Sequence, residues 1–166
     1  MTAARQQRKP RLALGGLLGL ALCSGILAPT ASRAATEERT VVNSNTGLAI
    51  SGFDPVAYFI DGKPKFGLPD MELSLDGAVW RFRNEGNRAA FAEHPEVYTP
   101  RFGGYDPVAI ARGISVPGHP LIWAIVGTRL YLFYSDTARE TFIADPGRVI
   151  EAAERKWPEV ARTIGR

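Results

Sequence analysis

A six-residue motif that occurs twice is the feature that most constrains how this chain of 166 residues can fold. Residues 52–57 read GFDPVA and residues 104–109 read GYDPVA, so five of six positions are identical at a spacing of 52 residues. Arrays of stacked repeats usually need three or more copies, whereas two copies favour one domain with internal pseudosymmetry. The motif therefore predicts two related units in a single domain.

A strand-turn-strand pattern and a helical stretch follow each copy of the motif. The first hairpin turn is predicted at residues 76–77 (DG) and the second at residues 127–128 (GT), with turn glycines 50 residues apart. In the helical stretches, Phe91 and Phe142 each stand four residues before a proline, 51 residues apart. Because an isolated two-stranded hairpin is marginally stable in water, the two units are expected to share a core.

The predicted fold class is α+β, with two pseudo-repeated units of capped turn, β-hairpin and helix packed as one compact domain. The units span residues 52–98 and 104–157 within a domain of residues 48–160. The expected core consists of large apolar side chains from the hairpins and helices: Val79, Trp80, Phe82, Phe91, Leu130, Leu132, Phe133 and Phe142.

The last predicted helix has the clearest pattern of any single element. Pro146 suits a first helical turn, and Asp145 before it can accept hydrogen bonds from the free amides there. An apolar stripe at helical spacing follows: Val149, Ile150, Ala153 and Trp157. Pro158 is predicted to end the helix.

The first 34 residues have the order of regions found in a secretory signal peptide. Residues 1–11 are polar and basic, residues 12–27 are apolar, and a small-residue site predicts cleavage between Ala34 and Ala35. The apolar run of about 16 residues is shorter than the roughly 20 that a membrane-spanning helix needs, and an uncleaved anchor is the alternative. The sequence therefore predicts a periplasmic or secreted protein, with residues 35–47 as a flexible N-terminal segment.

The charge and cysteine content change once this leader is set aside. Five of the 20 basic residues and none of the 17 acidic residues lie in the first 34 positions, which leaves 15 basic residues against 17 acidic ones, a net charge of −2. This balance gives no indication of a nucleic-acid partner. Cys23 is the only cysteine and lies in the leader, so the exported chain would have no disulfide, thiolate-bound metal or cysteine nucleophile.

The two Asp-Pro pairs of the repeated motif are the first candidates for chemistry. Asp54 and Asp106 each precede a proline and a short apolar run, which is typical of an aspartate that binds the amides of a first helical turn. The alternative is a pair of carboxylates brought together by the pseudosymmetry, as metal ligands or as an acid and a base. Carboxylates within about 6 Å of each other in a cleft would favour catalysis.

The segment that leads into the second hairpin supplies the other candidate groups. His119 stands in a proline-rich loop at residues 116–120 and could form a metal site of nitrogen and oxygen ligands with Asp106. Gly103, Gly104 and Tyr105 form a loop suited to a close approach of the backbone, either to a ligand or to another segment of the chain. No phosphate loop, GxGxxG fingerprint or GxSxG elbow occurs in the sequence.

These motifs resemble those of the YHS domain family, and the chain is similar to secreted, single-domain YHS proteins of Gram-negative bacteria. The likeness runs from about residue 48 to residue 160 and rests on short segments: DPV at 54–56, WRF at 80–82, NEGN at 84–87, HPEVY at 94–98, FGGY at 102–105 and WP at 157–158. The resemblance implies the family's fold and export from the cytoplasm.

The resemblance also implies metal binding, with copper as the candidate metal, through cysteines of the family. This chain has Ala57, Arg83, Asn87 and Asp106 at the positions where those cysteines are expected. Thiolate ligation of a metal is therefore excluded in this chain, whatever its relatives do. Asp106 gains interest, because secreted relatives often carry cysteine or selenocysteine at its position.

Together these patterns favour an exported, non-enzymatic periplasmic binding or accessory protein. An unknown small ligand or protein partner would bind where the Asp-Pro turns meet the glycine loop, at a site lined by Asp54, Tyr58, Gly103, Gly104, Tyr105, Asp106 and His119. One alternative is a metal-binding protein whose ion is held by Asp106 and His119. The other is an enzyme with Asp54 and Asp106 as acid and base. A membrane contact is expected only through an uncleaved leader.

Overall fold

The computed structural model describes residues 40–42 and 46–164. The predicted signal peptide lies outside the described residues, as does most of the segment 35–47. In the described part the fold is mixed α+β, as predicted, with two antiparallel hairpins and six α-helices. None of the helices in that part is long and apolar enough to cross a membrane.

The first half of the fold runs from a 3₁₀ turn to a short helix. Its elements are a 3₁₀ turn at Ile50–Gly52, α1 at Ala57–Ile60, β1 at Leu68–Leu75, β2 at Ala78–Phe82, α2 at Glu85–Glu93 and α3 at Pro95–Tyr98. Strands β1 and β2 pair around a turn in which Asp76 and Gly77 both have positive φ, 51° and 74°. Asp-Gly suits a turn of that handedness, since it matches the twist of the paired strands.

The second half has the same element order. Its elements are a 3₁₀ turn at Arg101–Gly104, α4 at Pro107–Ile110, β3 at His119–Val126, β4 at Arg129–Phe133, α5 at Asp136–Ala144 and α6 at Pro146–Thr163. The strands β3 and β4 and the helices α5 and α6 each begin 51 residues after their counterparts β1, β2, α2 and α3. The halves differ most at their ends, where α6 has 18 residues and α3 has four.

Strand β4 lies between two hydrophobic clusters. Its alternating side chains divide between them: Leu130 and Leu132 belong to the first cluster, and Tyr131 and Phe133 to the second. All four are buried, because both faces of this strand are covered. The first cluster also contains Trp80, Phe82 and Phe91, and the second contains Phe142 and Trp157.

Seven of the eight predicted core residues are buried, and Val79 is only half-buried. Its neighbours Ala78 and Trp80 point into the first cluster, so the side chain of Val79 lies on the opposite face of β2. The backbone of Val79 donates to the Gly47 carbonyl and accepts from the Ala49 amide. The segment 47–49 thereby covers the outer edge of β2.

Two sequence predictions were wrong about where elements begin or end. His119 is the first residue of β3 and not a loop residue, because it pairs with Phe133 of β4. An irregularity in register separates this pair from the regular pairing that begins at Trp123. Helix α6 continues through Pro158 to Thr163. Burial of Val160 and Ala161 in the second cluster favours that extra turn and offsets the backbone bond that Pro158 cannot make.

Candidate functional site

The Asp54 carboxylate is buried and accepts three hydrogen bonds from its own chain. Oδ1 accepts from the Val56 amide at 2.9 Å. Oδ2 accepts from the Arg83 amide at 2.8 Å and from Nδ2 of Asn87 at 2.6 Å. Asp54 does not cap a helix as predicted, because α1 begins only at Ala57 and Val56 is its N-cap. The carboxylate joins the repeated motif to the end of the first hairpin.

The Asp106 carboxylate makes the corresponding set of contacts in the second half. Oδ1 accepts from the Val108 amide at 2.8 Å and from the Ala109 amide at 3.4 Å. Oδ2 accepts from the Tyr134 amide at 2.9 Å, directly after β4 ends. Asp106 is the N-cap of α4 with Pro107 at the first helical position, which confirms the predicted cap.

The backbone of each motif is also crossed closely by the residue that directly precedes the first strand of its hairpin. Gly52 O accepts from the Gly67 amide and Gly104 O accepts from the Gly118 amide, both at 2.9 Å. A Cβ on Gly118 would lie 2.7 Å from Gly104 O, closer than real Cβ atoms approach other atoms. The glycine loop predicted to approach a ligand or another segment therefore approaches the chain itself.

The loop of Gly103, Gly104 and Tyr105 is held in place from several sides. Phe102, Gly103 and Gly104 all have positive φ, at 55°, 61° and 87°, a conformation that glycine adopts without a Cβ clash. Gly103 O accepts from the Val41 amide at 2.7 Å. The Tyr105 ring packs against Trp157 with centroids 6.2 Å apart and is 9% exposed.

Tyr58 links the first half of the fold to the second hairpin. Its buried hydroxyl donates to the carbonyl oxygen of Pro120 at 2.9 Å, and its ring packs edge-on against Trp123. Burial, and to a lesser degree the Asp54 carboxylate, raise the pKa of the Tyr58 hydroxyl well above its ordinary value. The hydroxyl therefore stays protonated and remains a donor.

His119 is the one candidate residue that is exposed, and the other six are buried. Its Nδ1 accepts from the Leu121 amide at 3.2 Å, which ties the ring to its own strand. Within residues 40–42 and 46–164, no hydrogen bond joins His119 to Asp106, and no three His, Cys, Asp or Glu side chains are grouped closely enough to hold a metal ion.

The candidate residues thus fall into three groups. Gly103 to Asp106 form one continuous segment against the second cluster. Tyr58 and His119 form a second group, because the Tyr58 hydroxyl donates to Pro120, the residue that follows His119 at the start of β3. Asp54 binds the amide that follows the first hairpin, and its charge contributes to the raised pKa of the Tyr58 hydroxyl.

Sequence reasoning missed the groups that bind the two carboxylates. The amides of Arg83 and Tyr134 carry no sequence signal, since every residue except proline has one. Asn87 follows the helix cap Asn84 by three residues, and the polar pair at the start of α2 is the signal that could have indicated it.

Comparisons with known proteins add no relative. No family model matches the chain, and neither a curated protein nor a solved structure matches it.

Proposed function

We propose that this chain is an exported YHS-like domain protein that acts by binding, as a periplasmic binding or accessory protein, and not as an enzyme. The observation that carries the proposal is the position of the two Asp-Pro carboxylates, which are buried and accept N–H groups of their own fold. A general acid or base must reach a substrate proton, and a metal ligand must direct lone pairs at the ion. Asp54 and Asp106 use their lone pairs to accept the hydrogen bonds that hold the hairpins.

The sequence supports export and a role without thiol chemistry. The leader has the regions of a signal peptide, and the only cysteine lies within it. The chain resembles the YHS family at its structural motifs but has Ala57, Arg83, Asn87 and Asp106 where the family's cysteines are expected. Its polar Asn87 and Asp106 instead take part in the hydrogen bonds that fix each motif.

Native mass spectrometry of the chain, produced with its leader in a Gram-negative host and recovered from the periplasm, tests this proposal. We expect the mass of residues 35–166, with no tightly retained metal after one equivalent of Cu²⁺ is added and excess ion removed. Asp106→Asn and His119→Ala are expected to leave that result unchanged. His94→Ala is the matched control, since His94 is the other exposed histidine.

Two results would contradict the proposal. A stable adduct of one Cu²⁺ per chain that is lost in both Asp106→Asn and His119→Ala, and kept in His94→Ala, would establish the metal site instead. Recovery of the uncleaved chain in the membrane fraction would overturn the predicted release from its leader.

A further inference from the structure

A cleft of about 310 Å³ lies between α4, α5 and α6, and neither Asp54 nor Asp106 is among the residues that line it. Four small or medium apolar side chains line it, Val108, Ala111, Val149 and Ala152, and two arginines, Arg112 and Arg148, line it as well. A volume at the low end of the range for ligand sites suits a small molecule. The mixed lining suits a molecule with an apolar body and a charged group.

The two arginines of this cleft differ from the other arginines of the described chain. Ten arginines lie in residues 40–42 and 46–164, and the guanidinium groups of eight have a carboxylate or a backbone carbonyl oxygen within 4 Å: Arg81, Arg83, Arg88, Arg101, Arg129, Arg139, Arg155 and Arg162. Arg112 and Arg148 are the two whose guanidinium groups bind no acceptor in that part of the chain. Both therefore keep all their donors for a group in the cleft.

The charge of the cleft selects the charge of its occupant. Asp145 also lines it, and Oδ1 of Asp145 accepts from the backbone amide of Arg148 at 3.1 Å. Two guanidinium groups and one carboxylate leave a net charge of +1. A guanidinium binds a carboxylate through paired N–H groups, so an occupant with one carboxylate balances the cleft.

We infer that this cleft binds a small organic monoanion, a monocarboxylate with a short hydrocarbon body. The carboxylate contacts Arg112 and Arg148, and the hydrocarbon packs on the apolar wall that Val108 and Val149 help to form. The inference rests on the proposed binding role and names a ligand class for it, at a site that the sequence did not indicate. The site exists only in the folded chain, since its arginines are 36 residues apart.

Titration of the isotope-labelled protein with hexanoate, followed through backbone amide signals in phosphate-free buffer of low ionic strength, tests this inference. We expect saturable shifts confined to residues near 108–112 and 145–152. Arg112→Gln and Arg148→Gln are each expected to weaken binding by about tenfold or more, because each removes a charge-assisted hydrogen bond. Arg155→Gln, an exposed arginine of α6 already paired with Glu151, is the matched control and should bind as the unmodified protein does.

Hexanol and inorganic phosphate separate the two parts of the ligand. Each is expected to bind at least about tenfold more weakly than hexanoate, since each lacks either the charge or the apolar body. Equal affinity for hexanol, equal affinity for phosphate, an unchanged affinity in Arg112→Gln and Arg148→Gln, or no saturable shift would each overturn the inference. Those outcomes leave the mass-spectrometric test of export and metal binding unaffected, so the two failures are read separately.

Discussion

Asp54→Ala is expected to lower the free energy of unfolding by about 3–5 kcal/mol. The substitution leaves three N–H donors without their acceptor, those of Val56, Arg83 and Asn87, and removes a carboxylate that is fully buried. It also detaches the repeated motif from the end of the first hairpin. Equilibrium urea unfolding, followed by tryptophan fluorescence and circular dichroism, measures the loss.

Asp106→Ala is expected to cost a similar amount, because it removes the acceptor of the Val108, Ala109 and Tyr134 amides. Asp70→Ala is the control: this aspartate is exposed on β1, and its removal should change the unfolding free energy by no more than about 0.5 kcal/mol. If Asp54→Ala and Asp106→Ala were as stable as Asp70→Ala, these carboxylates would not be holding the fold.

Gly118→Ala is expected to destabilise the protein by about 3 kcal/mol or more. A Cβ at this position would lie 2.5 Å from the Cβ of Leu132 and 2.7 Å from Gly104 O, and neither atom belongs to a flexible side-chain end. The strand could accommodate the methyl group only by moving away from the motif, which would break the hydrogen bond from the Gly118 amide to Gly104 O. The midpoint of thermal unfolding and the urea midpoint both report this loss.

Gly147→Ala is the matched control for this substitution. Gly147 lies in the first turn of α6, and the atom nearest to an added Cβ there would be Oδ1 of Asp145, at 4.0 Å. Alanine should be neutral there or stabilising by up to about 1 kcal/mol, because it favours the helix. Equal stability of the Gly118→Ala and Gly147→Ala proteins would refute the close crossing of the two backbones.

Much of the fold could be predicted because local signals agree with the final packing. The strand-turn-strand patterns around residues 76–77 and 127–128 located both hairpins, and the Asp-Pro pairs at 106–107 and 145–146 marked the starts of α4 and α6. Asp145 accepts from the Arg148 amide, as a cap should. Those signals lie within a few residues of the structure they specify, so a single sequence is enough to see them.

The remaining features depend on contacts between distant segments. Residues 68–71 are mostly exposed and pair irregularly, so no alternation marks the start of β1. Helix α6 passes Pro158 because Val160 and Ala161 are buried, which no local rule indicates. The second partner of each carboxylate, the amide of Arg83 or of Tyr134, lies 29 or 28 residues away. The arginine cleft likewise arises only when three helices pack together.

The role of Asp54 and Asp106 as hydrogen-bond acceptors that fix the two hairpins is open to direct measurement. Amide hydrogen exchange at Arg83 and Tyr134 tests it most directly, because both residues follow a strand end, have exposed side chains and would exchange quickly without these acceptors. We expect both amides to exchange as slowly as those within β4.

Two variants, each with asparagine in place of one of the two aspartates, make that measurement specific. In Asp106→Asn, the side-chain amide can accept from only one of its two partner positions, so exchange at Val108 or Tyr134 should accelerate by about tenfold or more while Arg83 is unchanged. Asp54→Asn should do the reverse, at Val56 or Arg83. Fast exchange at Arg83 and Tyr134 in the unmodified protein, or no change in either variant, would show that the two carboxylates do not fix the hairpins.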